Sequence, residues 1–201
     1  MSEAALAGGV TGPAEETRRW SLRGATGHLV ELSGAAGGAT LSVASALVHE
    51  AQRNGEPAAW VAARAATFYP PDLDDAGIDL SALPVVRVER AGQAARAAET
   101  LLASDGFTLV ILDLAPGMRL PPAALARLDA LARRRRAALL VLTAKPREAP
   151  SLGCQISLRV DAWHRRTGFD CFARGLTVLR DRRHGPGWTH EENCRGPDGL
   201  C

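Results

Sequence analysis

Short apolar runs alternate with longer segments of helical periodicity along the first 143 residues. The apolar runs are predicted strands, at 28–33, 58–62, 83–88, 108–114 and 137–143. In the segments between them, apolar residues recur every three or four positions. These predicted helices cover 39–53, 72–76, 92–104 and 121–136. Strands that are apolar at nearly every position are typical of a parallel sheet covered on both faces, so the pattern predicts an α/β fold.

The pattern changes after residue 150. Gln155–Trp163 and Gly175–Arg183 alternate apolar and polar side chains, which predicts two antiparallel strands joined through residues 165–174. Residues 1–20 show no periodicity, and residues 184–201 are rich in glycine and proline, so both are predicted to be flexible tails. The expected organisation is a core domain at 21–183 between these two tails.

The turn after the first predicted strand is rich in glycine and leads directly into a helix. Phosphate-binding loops of the form G-x-x-x-x-G-K-[ST] occupy this position, and their lysine and hydroxyl bind phosphate and magnesium. The corresponding residues here are Gly34, Gly37, Gly38, Ala39, Thr40 and Leu41. Counted from Gly34, Thr40 replaces the lysine and Leu41 the hydroxyl residue. Counted from Ser33, Gly38 and Thr40 take their expected places, but Ala39 replaces the lysine. The loop is therefore degenerate in both frames, and we expect it to bind no nucleotide.

The chain resembles the RecA recombinase family over about residues 24–183. The similarity is most specific over 31–61, which contains the degenerate loop and Glu50-Ala51-Gln52 in matching positions. Leu109–Asp113 resembles the Walker B strand of that family, with Asp113 as its acid. The resemblance implies a RecA-like, mostly parallel sheet flanked by helices and followed by a C-terminal antiparallel hairpin.

The chain departs from the RecA family where that family carries its catalysis. The family's catalytic glutamate falls on Arg64, and a cation cannot polarise an attacking water as a carboxylate does. Asp113 is retained, but without the loop hydroxyl it would hold a metal poorly. Phosphoryl transfer depends almost entirely on positioned positive charge, so we expect a protein that is not an enzyme and uses neither a cofactor nor a metal.

A RecA-like core without catalytic residues resembles two bacterial families of the SOS response to DNA damage. ImuA proteins act with ImuB, an inactive Y-family polymerase homologue, and indirectly with an error-prone polymerase. SulA proteins bind FtsZ and inhibit cell division. The long RecA-like core and the basic second half favour ImuA. This resemblance implies a non-catalytic accessory protein in translesion synthesis that binds RecA and ImuB; the alternatives are a SulA-like inhibitor and an ATPase with an atypical loop.

Positive charge is concentrated in the second half of the chain. Residues 1–118 carry a net charge of −6 and residues 119–190 a net charge of +10. The candidate partner-binding cations are Arg165, Arg166, Arg180, Arg182 and Arg183. They are either a solvated basic face or a site of weak, salt-sensitive DNA binding. Arg133–Arg136 end a predicted helix, where cations are favoured by the helix dipole.

Trp188 lies in the glycine- and proline-rich segment, outside every predicted element. An aromatic side chain in such a segment is typical of an interface anchor, so we predict that Trp188 contacts the ImuB-like partner. The alternative is that it folds back onto its own domain.

The remaining sequence features place the protein in a cell compartment and bear on metal binding. No cysteine pair has zinc-ligand spacing, and no apolar stretch is long enough to span a membrane. The N-terminus has no basic segment before an apolar core, so no secretory signal is predicted. We therefore expect a cytoplasmic protein with reduced thiols.

Overall fold

The computed structural model describes residues 20–35, 38–66, 68–169 and 171–195, whose strands form one eight-stranded sheet. The strands are β1 (Leu29–Gly34), β2 (Ala58–Ala63), β3 (Val85–Val88), β4 (Leu109–Asp113), β5 (Ala138–Ala144), β6 (Leu158–Arg166), β7 (Cys171–Asp181) and β8 (Thr189–Arg195). Their order across the sheet is β3-β2-β4-β5-β1-β6-β7-β8. The first six run parallel, and β7 and β8 are antiparallel to their neighbours.

Helices cover both faces of the parallel part of the sheet. They are α1 (Leu22–Ala25), α2 (Thr40–Arg53), α3 (Pro70–Asp75), α4 (Ala91–Ala103) and α5 (Pro122–Arg135), with a 3₁₀ turn at Leu80–Ala82. Leu47 of α2 packs with Ile111 in the core on one face. Leu128 of α5 packs with Val141 in the core on the other. The predicted α/β fold, with its mostly parallel sheet and antiparallel C-terminal strands, is confirmed.

Residues 189–195 correct the predicted C-terminal tail. They form β8, which pairs with β7 from Thr177 opposite Thr189 to Cys171 opposite Arg195. The chain turns back through Gly185 and Gly187, whose φ angles of +80° and +99° are conformations that favour glycine. Backbone hydrogen bonds, rather than an apolar pattern, hold this strand. The folded core therefore extends past 183, whereas 1–19 and 196–201 lie outside the described residues.

The topology places the strand ends at two opposite edges of the sheet. At the carboxyl edge, β1, β2, β4 and β5 end at Gly34, Ala63, Asp113 and Ala144. At the amino edge, β5, β1 and β6 begin and the antiparallel β7 ends. No helix within the described ranges is long and apolar enough to cross a membrane.

Candidate functional site

The turn between β1 and α2 packs closely against the neighbouring strand β6. A Cβ atom on Gly34 would come within 2.9 Å of the Ala162 carbonyl oxygen, and one on Gly38 within 3.0 Å. The Gly38 N–H also donates to the Ala35 carbonyl at 2.8 Å. Both glycines are thus required by close backbone packing, a reason that is independent of phosphate binding. Gly37 lies outside the described residues.

The first turn of α2 offers no charged group. Ala39 is the N-cap residue and is buried, and no side chain caps this helix end. Thr40 is half-buried, and Leu41 packs against the core. A helix N-terminus attracts anions through its free N–H groups, but the lysine that secures a nucleotide phosphate has no counterpart in this turn.

Lys145 does reach the carboxyl edge, directly after β5. Its backbone N–H donates to the Gly34 carbonyl at 3.0 Å, which places it beside the degenerate loop. Its ammonium group, however, forms an ion pair with Glu31 and donates to the Pro150 carbonyl at 2.6 Å. The lysine side chain is therefore engaged in a structural contact and does not replace the missing phosphate-binding lysine.

Glu31 is fully buried and organises a polar network on the α5 side of β1. Its carboxylate accepts hydrogen bonds from the Ser151 hydroxyl at 2.7 Å and the Leu152 N–H at 3.0 Å. Arg159 lies with its Nε 3.9 Å from the same carboxylate. The sequence analysis missed this network, although an acid inside an apolar strand is a signal, since a buried carboxylate requires a cationic partner.

The guanidinium of Arg159 holds the segment that follows β5. It donates to the carbonyl groups of Pro146 at 3.4 Å and Arg147 at 3.2 Å, and also to the carbonyl of Ala149. Together with the Glu31–Lys145 pair, these contacts fix residues 145–152, which we call the clamp segment, against β1 and β6. The segment is ordered by charge pairing rather than by apolar burial.

Asp113 lies at the end of β4, where the Walker B resemblance places it. The residue is 6% exposed, and its Oδ2 atom has no hydrogen-bond partner among the described residues. Burial raises the pKa of Asp113 to about 6, and the nearby Trp60 indole opposes this rise without reaching hydrogen-bond geometry. The aspartate is thus retained in an apolar setting that disfavours its charged form.

Arg64 follows β2 at the same edge and is exposed. It forms an ion pair with Glu89, with 2.9 Å between Nη1 and Oε1. A solvated cation therefore stands at the position that corresponds to the catalytic glutamate of the RecA family. No three His, Cys, Asp or Glu side chains in the described part of the chain converge as metal ligands.

Comparison with models of known protein families gives a match. Residues 21–147 match the family described as the MT3502 N-terminal domain. The chain belongs to this family. The match spans β1 to β5 with their helices, and so includes the degenerate loop, Asp113 and Lys145. A search of curated proteins finds no match.

The chain also resembles a protein of solved structure. It is similar to the KaiC-like protein PH0186 from Pyrococcus horikoshii OT3, with a TM-score of 0.59 and 13% sequence identity. The similarity covers 86% of this chain and 90% of the archaeal one. At this identity the comparison supports the RecA-like fold alone.

The arginines predicted to contact a partner are split between the two ends of the β6–β7 hairpin. Arg165 and Arg166 end β6, whereas Arg180, Arg182 and Arg183 lie at the far end of β7. Phe172, the partner of Arg166, and Arg180 are eight residue steps apart along β7, which corresponds to about 27 Å. A single contiguous site for all five is therefore not formed.

The β6–β7 hairpin tip carries an aromatic side chain that the sequence analysis missed. Phe169 is 76% exposed, next to Arg166, whose Nε donates to the Gly168 carbonyl at 3.0 Å. Arg165 lies 5.8 Å from the Trp163 ring and pairs with Glu191 at 3.3 Å. The visible signal was the segment RRTGF, in which an aromatic residue follows two arginines in a turn.

Trp188 is not an exposed anchor, which corrects that prediction. It is half-buried against the core, and its Nε1 donates to Asp181 Oδ2 at 3.4 Å. Its carbonyl accepts from the Val178 N–H at 3.0 Å. The turn at 185–187 returns the chain to the sheet, so the indole packs on its own domain.

Proposed function

We propose that this protein is a non-catalytic, RecA-like accessory protein of SOS-induced mutagenesis that binds RecA and an ImuB-like polymerase homologue. The observation that carries the proposal is the condition of the carboxyl edge. It keeps the glycine turn, the helix and Asp113 of a RecA-like site. The cations described at that edge, Lys145 and Arg64, are held in ion pairs with Glu31 and Glu89.

This arrangement favours binding over catalysis. Catalysis of phosphoryl transfer requires charges that are free to meet the developing negative charge of the transition state. Releasing Lys145 for that task would leave the fully buried Glu31 without its nearest cation, which is costly. The edge therefore serves better as a rigid surface than as a nucleotide site.

The hairpin tip is the best candidate for contact with the polymerase homologue, since Trp188 packs internally. Interface cores are enriched in aromatic residues and arginine, and Phe169 with Arg165 and Arg166 supplies both on one turn. RecA would instead contact the RecA-like core. The error-prone polymerase would be engaged indirectly, through the polymerase homologue.

Binding assays with purified RecA and the polymerase homologue test the proposal. Phe169→Ala should weaken binding to the homologue by ten-fold or more, as is typical of an interface anchor, and leave RecA binding unchanged. Tyr69→Ala is the matched control, because Tyr69 is also an exposed aromatic residue but directly precedes α3 instead of lying on the hairpin tip. Absence of binding to both proteins would overturn the proposal.

Calorimetric titration with Mg-ATP separates this function from an ATPase. We expect no heat of binding, because the loop lacks its lysine and hydroxyl. Micromolar binding, or ATP turnover that Asp113→Ala abolishes, would show that the protein is a nucleotide-dependent enzyme instead.

A further inference from the structure

Two arginine-rich segments that are far apart in sequence meet at the amino edge of the sheet. Arg133–Arg136 end α5 and lead into β5, whereas Arg182 and Arg183 directly follow β7. The intervening strand pairs are Leu139 with Leu29, Val30 with Leu158, and Leu158 with Asp181. Three strand spacings, or roughly 14 Å, therefore separate the two segments. We call these six residues the arginine patch.

Arginines of both segments influence the protonation of one side chain, His28. His28 precedes β1, between them, and its Nδ1 lies 2.9 Å from the Ser157 hydroxyl. Burial lowers the pKa of His28, and the positive charges of Arg183 and Arg133 lower it further, against smaller opposing contributions from Asp181 and Asp129. One arginine from each segment thus contributes to the electrostatic potential at His28, which agrees with the short separation given by the strand register.

Acidic residues compensate only part of this charge. Arg133 pairs with Asp129 at 3.1 Å and Arg135 with Asp105 at 3.3 Å. The third acid of this edge, Asp181, accepts hydrogen bonds from the N–H groups of residues 183 and 184 and from the indole of Trp188. Six arginines against three acids leave an excess of about three positive charges.

The helix dipole does not account for the arginines at the end of α5. A helix C-terminus carries about half a negative charge, which a single cation offsets. Arg134 and Arg136 are exposed and have no acidic partner within 4 Å among the described residues. They therefore extend an excess of charge into solvent.

We infer that the arginine patch binds the phosphate backbone of duplex nucleic acid without reading its sequence. Guanidinium groups match phosphate geometry, and backbone contacts position a protein without specifying bases. The large apolar side chains that are exposed in the described ranges are Tyr69, Val85 and Phe169. None belongs to the patch, so it lacks both the stacking platforms of single-strand binders and the apolar centre of a protein interface.

The patch is separate from the surfaces used in the proposed function. It lies at the amino edge, whereas the degenerate loop lies at the carboxyl edge, and β7 separates it from the hairpin tip. Failure of one proposal would therefore leave the other standing.

Fluorescence anisotropy with a labelled DNA duplex of about 30 base pairs tests the inference. Binding should weaken linearly on a log–log plot of affinity against salt, with a slope near −3 for about three phosphate contacts. The variant Arg134→Gln/Arg136→Gln/Arg183→Gln should lose at least ten-fold in affinity at low salt. Its slope should be shallower by about one for each contact removed.

The matched control is Arg96→Gln/Arg119→Gln/Arg147→Gln, which removes the same charge from exposed positions outside the patch. It should change affinity less than two-fold. Equal losses in both triple variants would show an effect of net charge alone and overturn the inference. Tighter binding to single-stranded poly-dT or to polyglutamate than to the duplex would also overturn it.

Circular dichroism confirms that each variant is folded. Arg134→Gln alone, at an exposed position of α5, keeps the test valid if the triple variant unfolds. This single change should still make the salt slope shallower by about one.

Discussion

At the scale of single residues, the most constrained side chain is the carboxylate of Glu31. It is fully buried, forms an ion pair with Lys145, and accepts hydrogen bonds from the Ser151 hydroxyl and the Leu152 N–H. Such a group stabilises a fold only while its partners remain, because an unpaired buried charge has lost its hydration without compensation. The clamp segment therefore depends on one carboxylate.

Glu31→Gln should destabilise the protein by about 3–5 kcal/mol, since Lys145 would then lie beside a neutral amide. Urea unfolding followed by circular dichroism measures this change. Glu148→Gln, at an exposed position of the clamp segment, is the control and should change stability by less than about 0.5 kcal/mol. A loss below 1 kcal/mol for Glu31→Gln would mean that the network contributes little.

Asp113, unlike Glu31, is expected to lower the folding stability of the protein near neutral pH. Its pKa is raised from 3.8 to about 6, so the folded state binds more protons than the unfolded state between these values. Folding stability should therefore fall as pH rises through this window. The full cost, about 3 kcal/mol at 1.36 kcal/mol per pKa unit, is present above pH 6.

Asp113→Asn should remove much of that cost at pH 7.5 and give little gain at pH 4, where the aspartate is already largely protonated in the folded state. Urea unfolding of both proteins at the two pH values provides the measurement. A stability gain that does not depend on pH would argue against the raised pKa.

The sequence predicted some of these residues and not others, for a physical reason. Asp113 and the degenerate loop follow strands whose apolar runs are unmistakable, so local pattern located them. The partnership of Glu31 with Lys145 depends on two strands that are adjacent in the sheet but distant in the chain. No local pattern encodes that adjacency, although the burial of Glu31 was foreseeable.

At the scale of elements, β8 is a strand that the hydrophobic periodicity of the sequence does not predict. The strands β1, β4 and β5 are buried at nearly every position and were predicted because they are apolar. In contrast, β8 is an outer strand with polar side chains on both faces. Its position is fixed by the turn at 185–187 and by backbone pairing with β7, which composition alone does not reveal.

Trp188 connects this turn to the core, so Trp188→Ala should lower the free energy of unfolding by about 2 kcal/mol. The expected loss is below the 3–5 kcal/mol of a fully buried tryptophan because the ring is only half-buried. Thermal or urea denaturation measures it, with Phe169→Ala as an exposed control. Unchanged stability would restore the interpretation of residues 184–195 as a tail.

At the scale of the whole molecule, the packing of the described residues accounts for the RecA-like fold. Burial of apolar strands between two helical layers stabilises the sheet, at roughly 25 cal/mol per Å² of apolar surface. Nothing in this packing requires a bound ligand. The fold was predictable from strand–helix alternation, whereas the convergence of two arginine segments required the order of the strands.

Melting temperatures with and without 5 mM Mg-ATP should therefore coincide. A ligand at a hundred times its dissociation constant would add about 2.7 kcal/mol and raise the melting temperature by several degrees. Differential scanning fluorimetry makes the comparison, with a nucleotide-binding protein as the positive control. A clear rise would show that the loop has kept an affinity that its residues do not suggest.

The sheet ends, among the described residues, in β3 on one side and β8 on the other. An outermost strand presents unpaired N–H and C=O groups to which a strand of another molecule can add. Pro84 precedes β3 and Arg87 lies within it, while Glu191 and Glu192 stand on β8. These charges and the proline disfavour such addition, so we expect them to limit edge-to-edge aggregation in concentrated solutions.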